Sequence, residues 1–95
     1  MNFFEEQHRS ALMSCIEIVI MRRNGPNYHL VQTKLDSRYG CKILDCYDHP
    51  GYLRTILKEV YSEDDYNSII DEVKLELSDL IEVKEIANFL KVMQS

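Results

Sequence analysis

The sequence contains no tryptophan, only three glycines and two prolines, and no apolar run approaching the ~18 residues of a membrane span. With 45% of residues apolar and 28% charged, collagen-like, low-complexity and wholly disordered chains are excluded. The opening Met1-Asn2-Phe3-Phe4-Glu5-Glu6 lacks the basic start of a secretion signal, so the expected location is cytoplasmic. Cysteine is sparse and odd in number, at Cys15, Cys41 and Cys46. A secreted scaffold favours a denser, even set, so reduced thiols and no disulfide are expected. Gly25, Gly40 and Gly51 stand alone, which removes any phosphate-cradling loop. What 95 residues permit is a single domain, 1–95, with one core.

A surplus of cations is also missing. The net charge of −5 argues against general affinity for nucleic acid or anionic membrane. The charge is unevenly placed: net −2 over residues 1–21, +3 over 22–60 and −6 over 61–95. A basic middle beside an acidic tail attracts itself within one fold, or the opposite half of a second copy.

Hydrophobic spacing then gives the elements. Asn2 with Glu5 three residues later reads as a helix start, and Phe4, Ala11, Leu12, Cys15 and Val19 follow at helical spacing. Ile16 and Ile18 to Met21 leave almost no polar side, the mark of a helix shielded by partners. The same β-branched run suits a strand, with Asn24-Gly25 as a hairpin turn into residues 28–33. Failed alternation at Ile18-Val19-Ile20-Met21, and Pro26 directly after the turn, favour helix. Arg22-Arg23-Asn24-Gly25 is then a helix end. Pro26 opens a second helix with the stripe Tyr28, Val31, Leu35 and Tyr39, stopped by Gly40. A connection burying Ile43 and Leu44 leads to a helix opened by His49-Pro50, with Leu53, Ile56, Leu57 and Val60 on one face and an end near Tyr61. Ser62 caps the next, whose stripe is Tyr66, Ile69, Ile70, Val73 and Leu77. The stripe loses phase at Ser78-Asp79. Asp79 with Glu82 predicts a new capping box, and a last helix over about 80–93 carries Val83, Ile86, Ala87, Leu90 and Met93. The fold class is all-α, a compact bundle of four to five helices; the alternative is α+β with an N-terminal β-hairpin around Asn24-Gly25.

Cys41, Cys46 and His49 form the one cluster that resembles chemistry. Two thiolates and an imidazole offer three corners of a zinc tetrahedron, with His29 or Cys15 as a fourth. The spacing matches no zinc knuckle, and small apolar fillers plus a helix-opening histidine account for it equally. A Cys–His nucleophile would need an orienting group and an oxyanion site, and no strained turn supplies one. The reading is therefore no enzyme, no cofactor and no resident metal. DNA binding through the basic 22–60 region is the alternative function, although Gly40 to His49 is far longer than the turn of a helix-turn-helix. Six tyrosines suit core rims and interfaces alike.

The order of features resembles a known family. A buried first helix precedes a short helix ending in Arg38-Tyr39-Gly40; an acidic connection, a Pro-opened helix (His49-Pro50-Gly51-Tyr52-Leu53) and an Ile-rich helix (Ile69-Ile70-Asp71-Glu72-Val73) follow. Over about residues 11–80 this is similar to the small all-helical archaeal output domains first named from the ammonia oxidiser Nitrosopumilus. The resemblance implies a module attached to, or standing beside, signalling proteins, and no catalytic residues. The expected function is that of a non-enzymatic interaction or signal-output module, a homodimer with a protein partner of unknown identity. Ile16, Val19, Ile20, Leu57, Ile70 and Val73 are expected in the core or dimer seam, and Arg22, Arg23 and Lys58 opposite an acidic partner surface.

Overall fold

The β-branched run that could have been a strand is helical, because its apolar residues repeat with the helical rather than the two-residue period. The computed structural model describes residues 3–23 and 25–94. Among the described residues five helices follow one another: α1 (Phe3–Arg23), α2 (Gly25–Tyr39), α3 (Pro50–Val60), α4 (Glu63–Glu76) and α5 (Lys84–Gln94). A 3-10 turn, Ile43–Tyr47, joins α2 to α3. No strand occurs among the described residues, and the hairpin alternative is set aside. The expected Asn2 cap and Asn24 turn, and the Phe4 side chain, lie outside the described residues.

Local chemistry explains where each helix begins and ends. Gly40 adopts φ +64°, the one positive φ among the described residues, and its amide donates to the Asp36 carbonyl at 2.9 Å. It closes α2 with the left-handed residue that glycine supplies without a Cβ penalty. A Cβ at this position would meet nothing within 4 Å, so the cost of Gly40→Ala is conformational alone. About 1 kcal/mol of stability should be lost, read as a lower urea midpoint at unchanged slope. Pro50 takes the first position of α3, where its missing N–H removes no hydrogen bond. Ser62 Oγ accepts from the Asp65 amide at 3.2 Å, and Glu63, Asp64 and Asp65 face the positive end of the α4 dipole.

The buried side chains form one cluster, contributed by all five helices and the 3-10 turn. Leu12, Met13, Ile16, Val19 and Ile20 of α1 lie at its centre, with Val31, Leu35, Leu53, Ile56, Leu57, Ile69, Val73 and Ile86 around them. Helix α1 packs on α2, the 3-10 turn, α4 and α5. Tyr66, buried on α4, donates its hydroxyl hydrogen to the Met93 carbonyl and fastens the end of α5. The six residues expected in the core or seam are all buried here.

Three local expectations are corrected. Leu44 is 48% exposed, because a 3-10 turn repeats every three residues and points Ile43 and Cys46 inward together. The last helix starts at Lys84, and Asp79-Glu82 is not its capping box. Instead the amides of Leu80 and Val83 bond the carbonyls of Leu77 and Leu80, at 2.7 and 3.0 Å. These successive three-residue turns bring Leu77, Leu80 and Val83 toward the core without a continuous helix. The inward stripe of α5 is accordingly Ile86, Phe89, Leu90 and Met93, with Ala87 exposed.

Candidate interaction surface

Helix α1 has more apolar surface than the bundle can cover. Leu12, Ile16, Val19 and Ile20 face inward, but Ile18 is 49% and Met21 50% exposed on the opposite side. Both lie within the run that is apolar but for Glu17, and the three-residue spacing places them on one face. Leu75 on α4 is 76% exposed. It occupies a position outside the Tyr66–Val73 stripe, and the periodicity of α4 is the sequence signal that marks it.

Ion pairs set how α1 and α4 lie together. Arg22 bonds the Glu76 carboxylate and approaches Glu72 at 3.9 Å; Arg23 approaches Glu72 at 3.7 Å and bonds Ser68 Oγ. The Cys15 thiol donates to Glu76 at 3.7 Å. Later residues of α1 thus meet earlier residues of α4, an antiparallel pairing. Ile18 and Leu75 are both exposed and take no part in that row of charges. The Arg22 guanidinium holds the Glu76 carboxyl below its ordinary value, so the pair stays ionised near neutrality.

The cations expected to meet a partner are therefore occupied within the chain. Arg22 and Arg23 face α4, and the Lys58 ammonium lies 5.2 Å from the centre of the Tyr66 ring. Other cations of the basic region are paired as well: Arg38 bonds Glu59, and Lys34 lies 3.8 Å from it. Arg38 holds the Glu59 carboxyl below its ordinary value, with Lys34 adding to the effect. A duplex-reading helix would need such groups turned outward toward phosphates.

Of the suggested metal ligands, two meet and one departs. Cys41 and Cys46 place their sulfurs 3.8 Å apart. His49 stacks on Tyr52 at 4.7 Å between centroids, and Tyr52 stacks on Tyr39 at 4.0 Å. Among the described residues no group of three or more His, Cys, Asp or Glu side chains is arranged to hold a metal ion. Burial and the neighbouring Cys41 push the Cys46 thiol up to about 12. A thiol held protonated in this way is a poor metal ligand and does not attack reagents in bulk solvent.

Tyr28, Tyr39, Tyr47 and Tyr52 take up the core rim, while Tyr61 and Tyr66 are buried within it. Tyr47 stacks near Phe89 and receives the Arg9 guanidinium 5.0 Å from its ring centre, while Tyr28 accepts from Gln32 at 3.0 Å. The described surface is also concave in places. A cleft of about 600 Å³ between the ends of α3, α4 and α5 is lined by Lys58, Tyr66, Asn67, Ile70 and Asp71; a shallow notch of about 210 Å³ lies over Phe89 and Val92. No described helix is long and apolar enough to cross a membrane. No family model matches the chain, and no curated protein or solved structure matches it significantly.

Proposed function

We propose that this protein is a non-enzymatic interaction module of the signal-output kind, acting by contact and paired as a homodimer through the open face of α1. The observation that carries this reading is the half exposure of Ile18 and Met21 on a helix whose Leu12, Met13, Ile16, Val19 and Ile20 are buried. A helix apolar on all sides is stable in water only when something covers the remaining side. Closed two-fold symmetry brings the same patch of each copy together, so Ile18, Met21 and Leu75 supply both halves of one seam. The polar Arg22–Glu76 and Arg23–Glu72 pairs beside them form its rim. The three unbridged thiols suit a reducing cytoplasm.

Sedimentation equilibrium over a range of concentrations tests it. The wild-type chain should weigh as a dimer at tens of micromolar. The variant Ile18→Glu/Met21→Glu should weigh as a monomer there, its dissociation constant raised at least tenfold, about 1.4 kcal/mol. Its helical circular dichroism should be unchanged, because both positions already face solvent. A wild-type chain that stays monomeric to millimolar concentration overturns the homodimer.

A further inference from the structure

We propose that Cys41 and Cys46 form a reversible dithiol–disulfide site, a place where the chain is covalently modified by small disulfides such as oxidised glutathione. This does not rest on the dimer reading; it rests on where the three thiols lie.

The two sulfurs are already in contact at 3.8 Å, whereas Cys15 lies elsewhere, its thiol donated to Glu76. Closing to the ~2.05 Å of a disulfide requires a movement under 2 Å. The backbone is placed to allow it. Cys41 and Lys42 lie outside any helix, between the left-handed Gly40 and the start of the 3-10 turn. Cys46 is anchored in the core on that turn, so Cys41 is the partner that moves.

Exposure separates the roles. Cys41 is partly accessible and Cys46 is fully buried. Cys41 is thus the entry thiol. It loses its proton to solvent, and its thiolate attacks one sulfur of glutathione disulfide, breaking the S–S bond and expelling one glutathione thiolate, which takes up a proton. The Cys46 sulfur then attacks the Cys41 sulfur of the mixed disulfide. Its proton passes to the departing second glutathione thiolate. Two protein thiols are oxidised, one small disulfide is reduced to two thiols, and atoms and electrons balance. Burial keeps Cys46 protonated toward bulk reagents, so its neighbour's sulfur is its one accessible target. Oxidation gives up the Cys46 S–H contact to the Lys42 carbonyl, now 3.5 Å, and closes a ring across the 3-10 turn.

The test is oxidation of the folded, full chain with glutathione disulfide, followed by thiol titration in denaturant and tryptic mass mapping. Titratable thiols should fall from three to one, and the chain should lose the mass of two hydrogens. One cross-linked species should join peptide 39–42 to peptide 43–54. Dithiothreitol should restore all three thiols. Cys46→Ser should instead accumulate a glutathione adduct on Cys41, because the resolving sulfur is missing. The same oxidation in urea should scatter the pairing among all three cysteines, showing that the fold supplies the selectivity. Retention of three thiols by the folded chain overturns the proposal, as does a cross-link that includes Cys15 or joins two chains.

Discussion

Between about pH 8 and pH 11 the folded state is expected to lose several kcal/mol, on the order of the whole stability of a small domain. Three buried protons are responsible. Burial lifts the Cys15 thiol to about 11 and the Cys46 thiol to about 12, from an ordinary 9.0. It lifts the Tyr66 hydroxyl from 10.0 to about 12. Each group is at most 8% exposed. The surrounding charges adjust these values: Glu76 raises and Arg22 lowers that of Cys15, Cys41 and Asp45 raise that of Cys46, and Arg54 lowers that of Tyr66.

The sign follows from proton counting. Above pH 9 the unfolded chain releases protons that the folded chain still holds, so alkali favours unfolding. Each such proton costs the folded state about 1.4 kcal/mol for every pH step of one between its unfolded and folded values. The stability these groups contribute is complete below their ordinary values and is lost as the pH rises through the folded ones. Urea unfolding under reducing conditions, at steps from about pH 8 to pH 11, should show the midpoint falling steadily. Cys15→Ala/Cys46→Ala should remove more than half of that fall while lowering stability at pH 8 only modestly. A wild-type midpoint that stays level across the range contradicts the account.

Leu53→Ala should cost about 3 kcal/mol, a drop of about 12–20 °C in Tm. Leu53 is fully buried on α3, and α3 packs against α2, the 3-10 turn, α4 and α5. Truncation there leaves a cavity walled by several elements, none of which can close it alone. Leu75→Ala on α4 supplies the contrast: at 76% exposure it should stay within about 0.5 kcal/mol of wild type as a monomer. Thermal melts of both variants at low concentration, where association does not contribute, separate the two cases. A small effect at Leu53 would mean that the core relaxes far more than close packing allows.

The helices are legible in the sequence because their stripes are long and their stops are chemical. Tyr66, Ile69, Ile70, Val73 and Leu77 repeat cleanly, Ser62 caps, and Gly40 and Pro50 mark the ends of a connection. Leu44 and the 77–83 segment escape such reading because tight turns repeat every three residues, and a short run does not reveal which period applies. Charge is legible as a block but not as pairs. The sequence shows a basic middle and an acidic tail, yet Glu59, inside the basic block, serves Lys34 and Arg38. Only packing α2 against α3 makes that triad. The grouping of Cys41, Cys46 and His49 is visible too, but ring stacking on Tyr52 turns the imidazole into a packing element. Side-chain direction in a short connection depends on neighbours that are remote in the chain.

The central place of α1 carries a consequence for synthesis. The helix leads the others in the sequence, yet its partners extend to α5, some sixty residues later. At the ~5–20 residues per second of translation, on the order of 3–12 seconds pass before the last of them is made. During that interval the nascent chain holds the longest of its described helices without a complete coat, the moment at which it is most prone to aggregate or to be held by a chaperone.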